Sequence, residues 1–500
     1  MQAQVSTAQG KLRGLQKQGH QVYLGIPYAR PPVRHLRFRP PVAADPWTGV
    51  RNAVSFGNIA PQLPSPLGVK SNEAQSEDCL YLNVYTPAAD DKKRPVLFWI
   101  HGGAFRQGAS SAPLYDGGAL CERGDVVIVT VNYRLGALGF AWFGEEGKSW
   151  GATANNGLMD QVCALEWVRN NIAGFGGDPG NVTLFGESAG AMSISCLLSM
   201  PAADGLYHKA IMQSGAGARV RGKEGAAALG EEFLAELGVS GAGILDVPVE
   251  KIIEAQGKVS ASLDIMASFT PILDGAVIPA QPVKRIASGC AAGIPVIAGS
   301  NRDEMKLFNA IPRPKKIDEG KLIRRLCRMF SCEEPQAREL AQVYRASRGE
   351  AGLPAENHDI FDAIQSAVVF HQPTVRFAEE QEAHETRVYT YMFARETTAM
   401  GGALGATHGL DIPYVFGNLK NSAMDFFKTS GENAVILSDK MMEAWLAFAR
   451  TGNPSHAGLE WPAFTRQQRR TMVFDDECGS IEDPFGRERQ ALEAMAGSFR

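Results

Sequence analysis

The chain has 500 residues, 45% hydrophobic and 21% charged, a composition that excludes disorder and allows a large core. Fifty lysines and arginines against 54 aspartates and glutamates give a net charge of −4, too balanced for a nucleic-acid or anionic-membrane partner. Eight cysteines are scattered with no C-x-x-C spacing, which fits buried thiols in a reducing cytoplasm better than a zinc site or a disulfide framework.

The N-terminal "MQAQVSTAQGKLRGLQKQGH" lacks the apolar core of a signal peptide, and no stretch reaches the ~20 apolar residues that span a bilayer, so a soluble cytoplasmic chain is expected. "YARPPVRHLRFRPP" (28–41) reads as a rigid loop. Continuous apolar runs follow: "RPVLFWI" (94–100), "DVVIVTVNY" (125–133), "NVTLFG" (181–186), "KAIMQS" (209–214) and "IPVIAGS" (294–300). They are rich in Val and Ile rather than alternating, as in strands covered on both faces. Helical patterns lie at 159–172 and 191–200, so the sum is an α/β sheet with helical crossovers. From about 305 to 385 the pattern becomes mainly helical, with Phe308, Phe330 and Phe361 among charged residues, and predicts helical material over the active edge of the sheet. The basic run at 315–328 is mixed with acids and reads as a solvated helix face.

"FGESAGAM" (185–192) sets Ser188 between Gly186 and Gly190 at a strand-to-helix junction, the context that a G-x-S-x-G nucleophile requires. The turn is so tight that side chains two before and two after the serine would collide. A serine hydroxyl is a poor nucleophile and needs an imidazole to take its proton and a carboxylate to orient that imidazole. His408 stands in a glycine-rich loop, whereas His208, His358, His371 and His384 read as surface or core histidines. "NRDE" ends a strand with two adjacent acids, Asp303 and Glu304, between which the residues alone do not choose. "HGGAFRQG" (101–108) follows a strand, and its small residues let backbone amides approach a developing oxyanion.

Together these segments resemble the type-B carboxylesterase and cholinesterase family, above all its bacterial, p-nitrobenzyl esterase-like members. "GIPYARPP", "SEDCLYLNVYTP", "HGGAF", "VNYRLGALGF", the run at 155–193, "THGLDIPYVFG" and "FARTGNPS" carry the resemblance. It implies an α/β-hydrolase fold with a mostly parallel central sheet, helices on both faces and helical insertions over the active site. It further implies one catalytic domain over 1–500 with its insertion at about 305–385.

By the same resemblance Ser188 is the nucleophile, His408 the base and Glu304 the acid, with the amides of Gly103, Ala104 and Ala189 as oxyanion donors. Glu187 and Ser214 fall on supporting positions beside the triad, and Phe105, Ile265, Ala267 and Phe269 on the substrate pocket. The register of the choline-binding tryptophan of cholinesterases falls on Val69, so choline esters are not the expected substrates. No cysteine precedes Cys79, so the disulfide that secreted relatives form there has no partner.

The implied activity is that of a serine carboxylesterase working through an acyl-enzyme on small to medium esters, without cofactor or metal. Carbamates, amides or lactones are alternative substrates of the same machinery, and a non-catalytic adhesion module is the alternative of a different class. Because the imidazole must start neutral, activity is expected to rise with pH through roughly 6 to 7.

Overall fold

In a computed structural model, residues 3–64, 72–217, 220–261, 268–310, 317–420, 427, 429 and 431–497 are described. An antiparallel entry is formed by β1 (Ala3–Thr7), β2 (Gly10–Gln16) and β3 (Gln21–Pro27), with the short β4 (Val50–Asn52) alongside β2. It leads through β5 (Tyr81–Thr86) into the interior of the sheet. There β6 (Arg94–Ile100), β7 (Val127–Val131), β8 (Gly177–Glu187) and β9 (Lys209–Gln213) run parallel. A separate two-stranded pair, β10 (Arg221–Gly222) and β11 (Ile272–Leu273), stands apart. The main sheet continues with β12 (Val296–Asn301), β13 (Val388–Phe393) and β14 (Arg470–Phe474), all parallel, and ends at the antiparallel β15 (Gly479–Glu482).

The strand order is β1-β2-β3-β5-β7-β6-β8-β9-β12-β13-β14-β15. This is the α/β-hydrolase fold, mostly parallel at its centre. The chain leaves β6 toward β7 on one side and leaves β8 toward β9 on the other. The crevice between the C-terminal ends of β6 and β8 is therefore a switch point of the topology, where open α/β sheets bind ligands.

The continuous apolar strands are explained by burial on two faces. In β6, Val96, Phe98 and Ile100 enter one apolar cluster and Leu97 and Trp99 the opposite one. Helices Asn156–Asn171, Ala189–Leu197 and Gln372–Glu382 cover the first face, and Glu432–Thr451 covers the second. Between β12 and β13 the helices Glu319–Phe330, Glu334–Glu350 and Asn357–Ser366 pack with the C-terminal helix Gly486–Gly497 around an apolar cluster of their own. Among the described residues, no helix is long and apolar enough to cross a membrane, and all eight cysteines are free thiols.

Candidate active site

The crevice between β6 and β8 is made by removing side chains. Ser188 follows β8 directly and is held at φ 54°, ψ −122°, a conformation that L-residues rarely adopt. The turn is tied at both ends. The amide of Ser188 donates to the carbonyl of Gln213 at 2.8 Å, and its own carbonyl accepts from Met192 at 2.9 Å. A Cβ added at Gly190 would overlap the carbonyl oxygen of Ile100, and one at Gly186 would lie 2.7 Å from the same atom. The crowding that these glycines relieve is thus mainly against the tip of β6.

The loop after β6 folds over the serine. A Cβ at Gly102 would meet that of Ser188 at 3.0 Å, so loop and elbow are in direct apposition. Gly103, Ala104 and Phe105 all have positive φ (111°, 54° and 59°). Gly103 is required there, since a side chain would overlap the carbonyl of Gln107. Among the described residues, no hydrogen-bond acceptor meets the amides of Gly103, Ala104 or Ala189. Gln62, from a distant loop, braces the turn. It accepts from the amide of Gly108 at 2.8 Å and donates to its carbonyl at 3.0 Å. His101, buried and stacked on Tyr133, is pushed down to about 4 by burial and is neutral there.

Across the cavity the two candidate acids part company. Glu304 Oε2 lies 2.5 Å from His408 Nδ1, and its Oε1 accepts the amide of Asn301 at 2.7 Å. Asp303 turns away toward Arg302 (2.9 Å), Lys306 (3.3 Å) and Arg348 (3.7 Å). It also clamps the histidine loop, donating from its amide to the Ala406 carbonyl (2.9 Å) and accepting the Ala406 amide on Oδ2 (3.1 Å). Asn301 adds a second tie through its side-chain amide to the carbonyl of Thr407 at 2.6 Å.

The imidazole of His408 is flanked by carboxylates, with Glu187 Oε1 3.0 Å from Nε2. Asp411, fully buried, receives Tyr391 Oη at 2.7 Å and Gln213 Nε2 at 2.9 Å. Burial works to lower the pKa of His408, but Glu187 and Glu304 outweigh it and push the imidazole up to about 9. Burial pushes Glu187 up to about 8 against the pull of His408, with Asp411 and Glu304 adding to the rise. The expected activation at pH 6 to 7 therefore moves upward. Phe308 and Phe370 lie against the imidazole, with ring centres 5.0 and 4.9 Å away.

Ser188, Glu187 and His408 line one cavity of about 370 Å³, shared with Leu63, Tyr115, Met305, Phe308 and Phe370 among others. The helical segment between β12 and β13 reaches it through a π-helical turn, Ala367–His371, which puts Val369 and Phe370 on the cavity wall. His371 hydrogen-bonds to the carbonyl of Asn301 at 2.9 Å. Among the described residues, no group of three or more His, Cys, Asp or Glu side chains is arranged to hold a metal ion.

Two pocket expectations are corrected. Phe105 and Phe269 are 1% and 2% exposed, and neither lines the cavity. Each turns into the core, Phe105 edge-on to Phe140 and Phe269 edge-on to Phe233, because an aromatic ring gains more from burial than from a wet wall. Ile265, Ala267 and Val69 lie outside the described residues. Ser214 sits at the end of β9 beside the elbow, but its buried hydroxyl has no hydrogen-bond partner among the described residues. Sequence reasoning missed Gln62, for which it holds no signal, and also Asn301 and Asp411, which stand inside motifs already singled out.

The sequence profile described as the Carboxylesterase family matches residues 1–492. The para-nitrobenzyl esterase of Bacillus subtilis is 40% identical over 502 residues, with 99% of each chain covered. The phenmedipham hydrolase of Pseudarthrobacter oxydans is 34% identical, covering 96% of this chain and 97% of that one. Among solved structures, the carboxylesterase of Geobacillus stearothermophilus superposes with a TM-score of 0.88 at 40% identity, covering 98% of this chain and 99% of that one. The chain belongs to the carboxylesterase family and is a carboxylic ester hydrolase.

Proposed function

We propose that this member of the carboxylesterase family hydrolyses small to medium carboxylic esters through an acyl-enzyme on Ser188, with His408 as general base and Glu304 as its orienting acid. The observation that carries the reading is the 2.5 Å contact of Glu304 with His408, which lines the same cavity as a serine held on a strained elbow. His408 takes the proton of Ser188, and the alkoxide attacks the ester carbonyl. The amides of Gly103, Ala104 and Ala189, which meet no acceptor among the described residues, receive the charge that develops on its oxygen. His408 then protonates the departing alcohol, and water activated by the same imidazole releases the acid. Glu304 fixes the tautomer and stabilises the imidazolium formed on the way.

A cavity of about 370 Å³ stands at the lower end of the range of small-molecule sites, roughly 300–1,000 Å³, and supports the preference for small to medium esters. We read 1–500 as one catalytic domain with its insertion at about 305–385, because Phe308 and Phe370 of that segment meet the catalytic histidine. Eight free thiols support a cytoplasmic location.

The test is Ser188→Ala assayed with p-nitrophenyl butyrate, alongside labelling by a fluorophosphonate. Turnover is expected to fall by about 10⁶-fold, since triad members act as a unit, and labelling is expected to vanish in a folded variant. Near-normal turnover, or a label that remains, refutes the assignment.

A further inference from the structure

Away from the catalytic cavity, the helix Glu319–Phe330 ends in a manner that brings two thiols together. Ser331 takes the left-handed conformation at φ 50°, and the amide of Cys332 turns back to donate to the carbonyl of Cys327 at 3.1 Å. This is the Schellman stop. Its geometry sets the side chain just past the left-handed residue against the one five positions earlier, where an apolar pair usually meets. Here those positions hold Cys332 and Cys327. Both are half-buried, and both pack on the cluster that contains Leu322, Ile323 and Leu326. The other half-buried cysteines, Cys290 and Cys478, direct their thiols to the backbone carbonyls of Leu198 and Asp475 instead.

We propose that Cys327 and Cys332 form a dithiol modification site, closed to an intramolecular disulfide by exchange with a low-molecular-weight disulfide such as oxidised glutathione. The Cys327 thiolate attacks one sulfur of the small disulfide and one small thiol departs. The Cys332 thiolate then attacks Cys327 Sγ in the mixed disulfide and displaces the second. Two protein thiols are oxidised, one small disulfide is reduced to two thiols, and the two protons pass to the departing thiolates. Burial and the adjacent Cys327 hold the Cys332 thiol above the ordinary range, with Glu333 adding to the effect, so Cys332 is the slower, resolving partner. Neither residue touches the catalytic cavity, so turnover of p-nitrophenyl butyrate serves as the control for folding.

Full-length enzyme treated with oxidised glutathione, then alkylated and digested, is expected to yield a peptide cross-linked between Cys327 and Cys332. Cys332→Ser is expected to carry a glutathione adduct on Cys327 in its place. Phenylarsine oxide, which needs two adjacent thiols, is expected to bind the wild type and to lose that binding in Cys327→Ser and in Cys332→Ser. Full alkylation of both cysteines after the oxidant, or arsenical binding that persists in the double serine variant, overturns the proposal.

Discussion

On the side of Ser188, position is set by what residues lack. Gly102, Gly186 and Gly190 allow the tip of β6, its loop and the serine turn to meet at distances that a single methyl group would forbid. On the side of Glu304 and His408, position is set by what residues carry. Asn301, Asp303 and Glu304 reach from the end of β12 to Ala406, Thr407 and His408, while Tyr391 and Gln213 anchor Asp411 behind them. The difference has a physical basis. Backbone amides must approach a substrate oxygen closely and are presented best by small residues, whereas a titrating imidazole needs charge and hydrogen bonds around it. On the first side an atom added at Gly102, Gly186 or Gly190 would collide with its neighbours, whereas on the second a substitution changes charge and hydrogen bonding.

The largest break in this contrast is expected on the polar side. Glu304→Gln, which keeps the shape and removes the charge, is expected to lower kcat by about 10⁴-fold. Asp303→Asn keeps the backbone bond to Ala406 and is expected to cost far less; the opposite ranking would move the acid's role to Asp303.

Gln62 sharpens the contrast, because it is a polar strut on the side that otherwise depends on missing atoms. Gln62→Ala is expected to lower kcat by about 10- to 100-fold with KM unchanged, since a small misplacement of oxyanion donors weakens transition-state binding alone. An unaltered kcat would show that the glycines suffice.

The smallest effect is a shift rather than a loss. Removing the charge of Glu187 destabilises the imidazolium, so in Glu187→Gln the acid limb of kcat/KM against pH is expected to move down by about one unit or more. In the wild type that limb is expected above the ordinary histidine value, because Glu187 and Glu304 raise His408. A limb unmoved by the substitution would remove Glu187 from the imidazole's electrostatics.

What was legible in the residues, and what was not, follows the same division. The runs at 94–100, 181–186 and 209–214 coincide with β6, the end of β8 and β9 because buried parallel strands are written as unbroken apolar stretches. The strands β1 and β2, whose burial alternates, carried no such signature. The elbow was legible because its motif is local, a serine between two glycines written within five residues, although the atom those glycines make room for belongs to the tip of β6.

By itself the amino-acid sequence determined the α/β architecture, the serine on its turn and the glycine-rich loops, and the resemblance it carries pointed to His408 and Glu304 as the serine's partners. The residues alone left Asp303 and Glu304 open and the resemblance pointed to Glu304; the tertiary structure sets Glu304 against His408 and Asp303 on the loop before it, a division made by the turn that follows β12. Only the tertiary structure turned Phe105 and Phe269 into the core, brought Gln62 to Gly108, and set Glu187 against the imidazole. These are contacts between residues up to 221 positions apart, as Glu187 and His408 are, and no local pattern in a chain specifies the partner of a hydrogen bond at that separation.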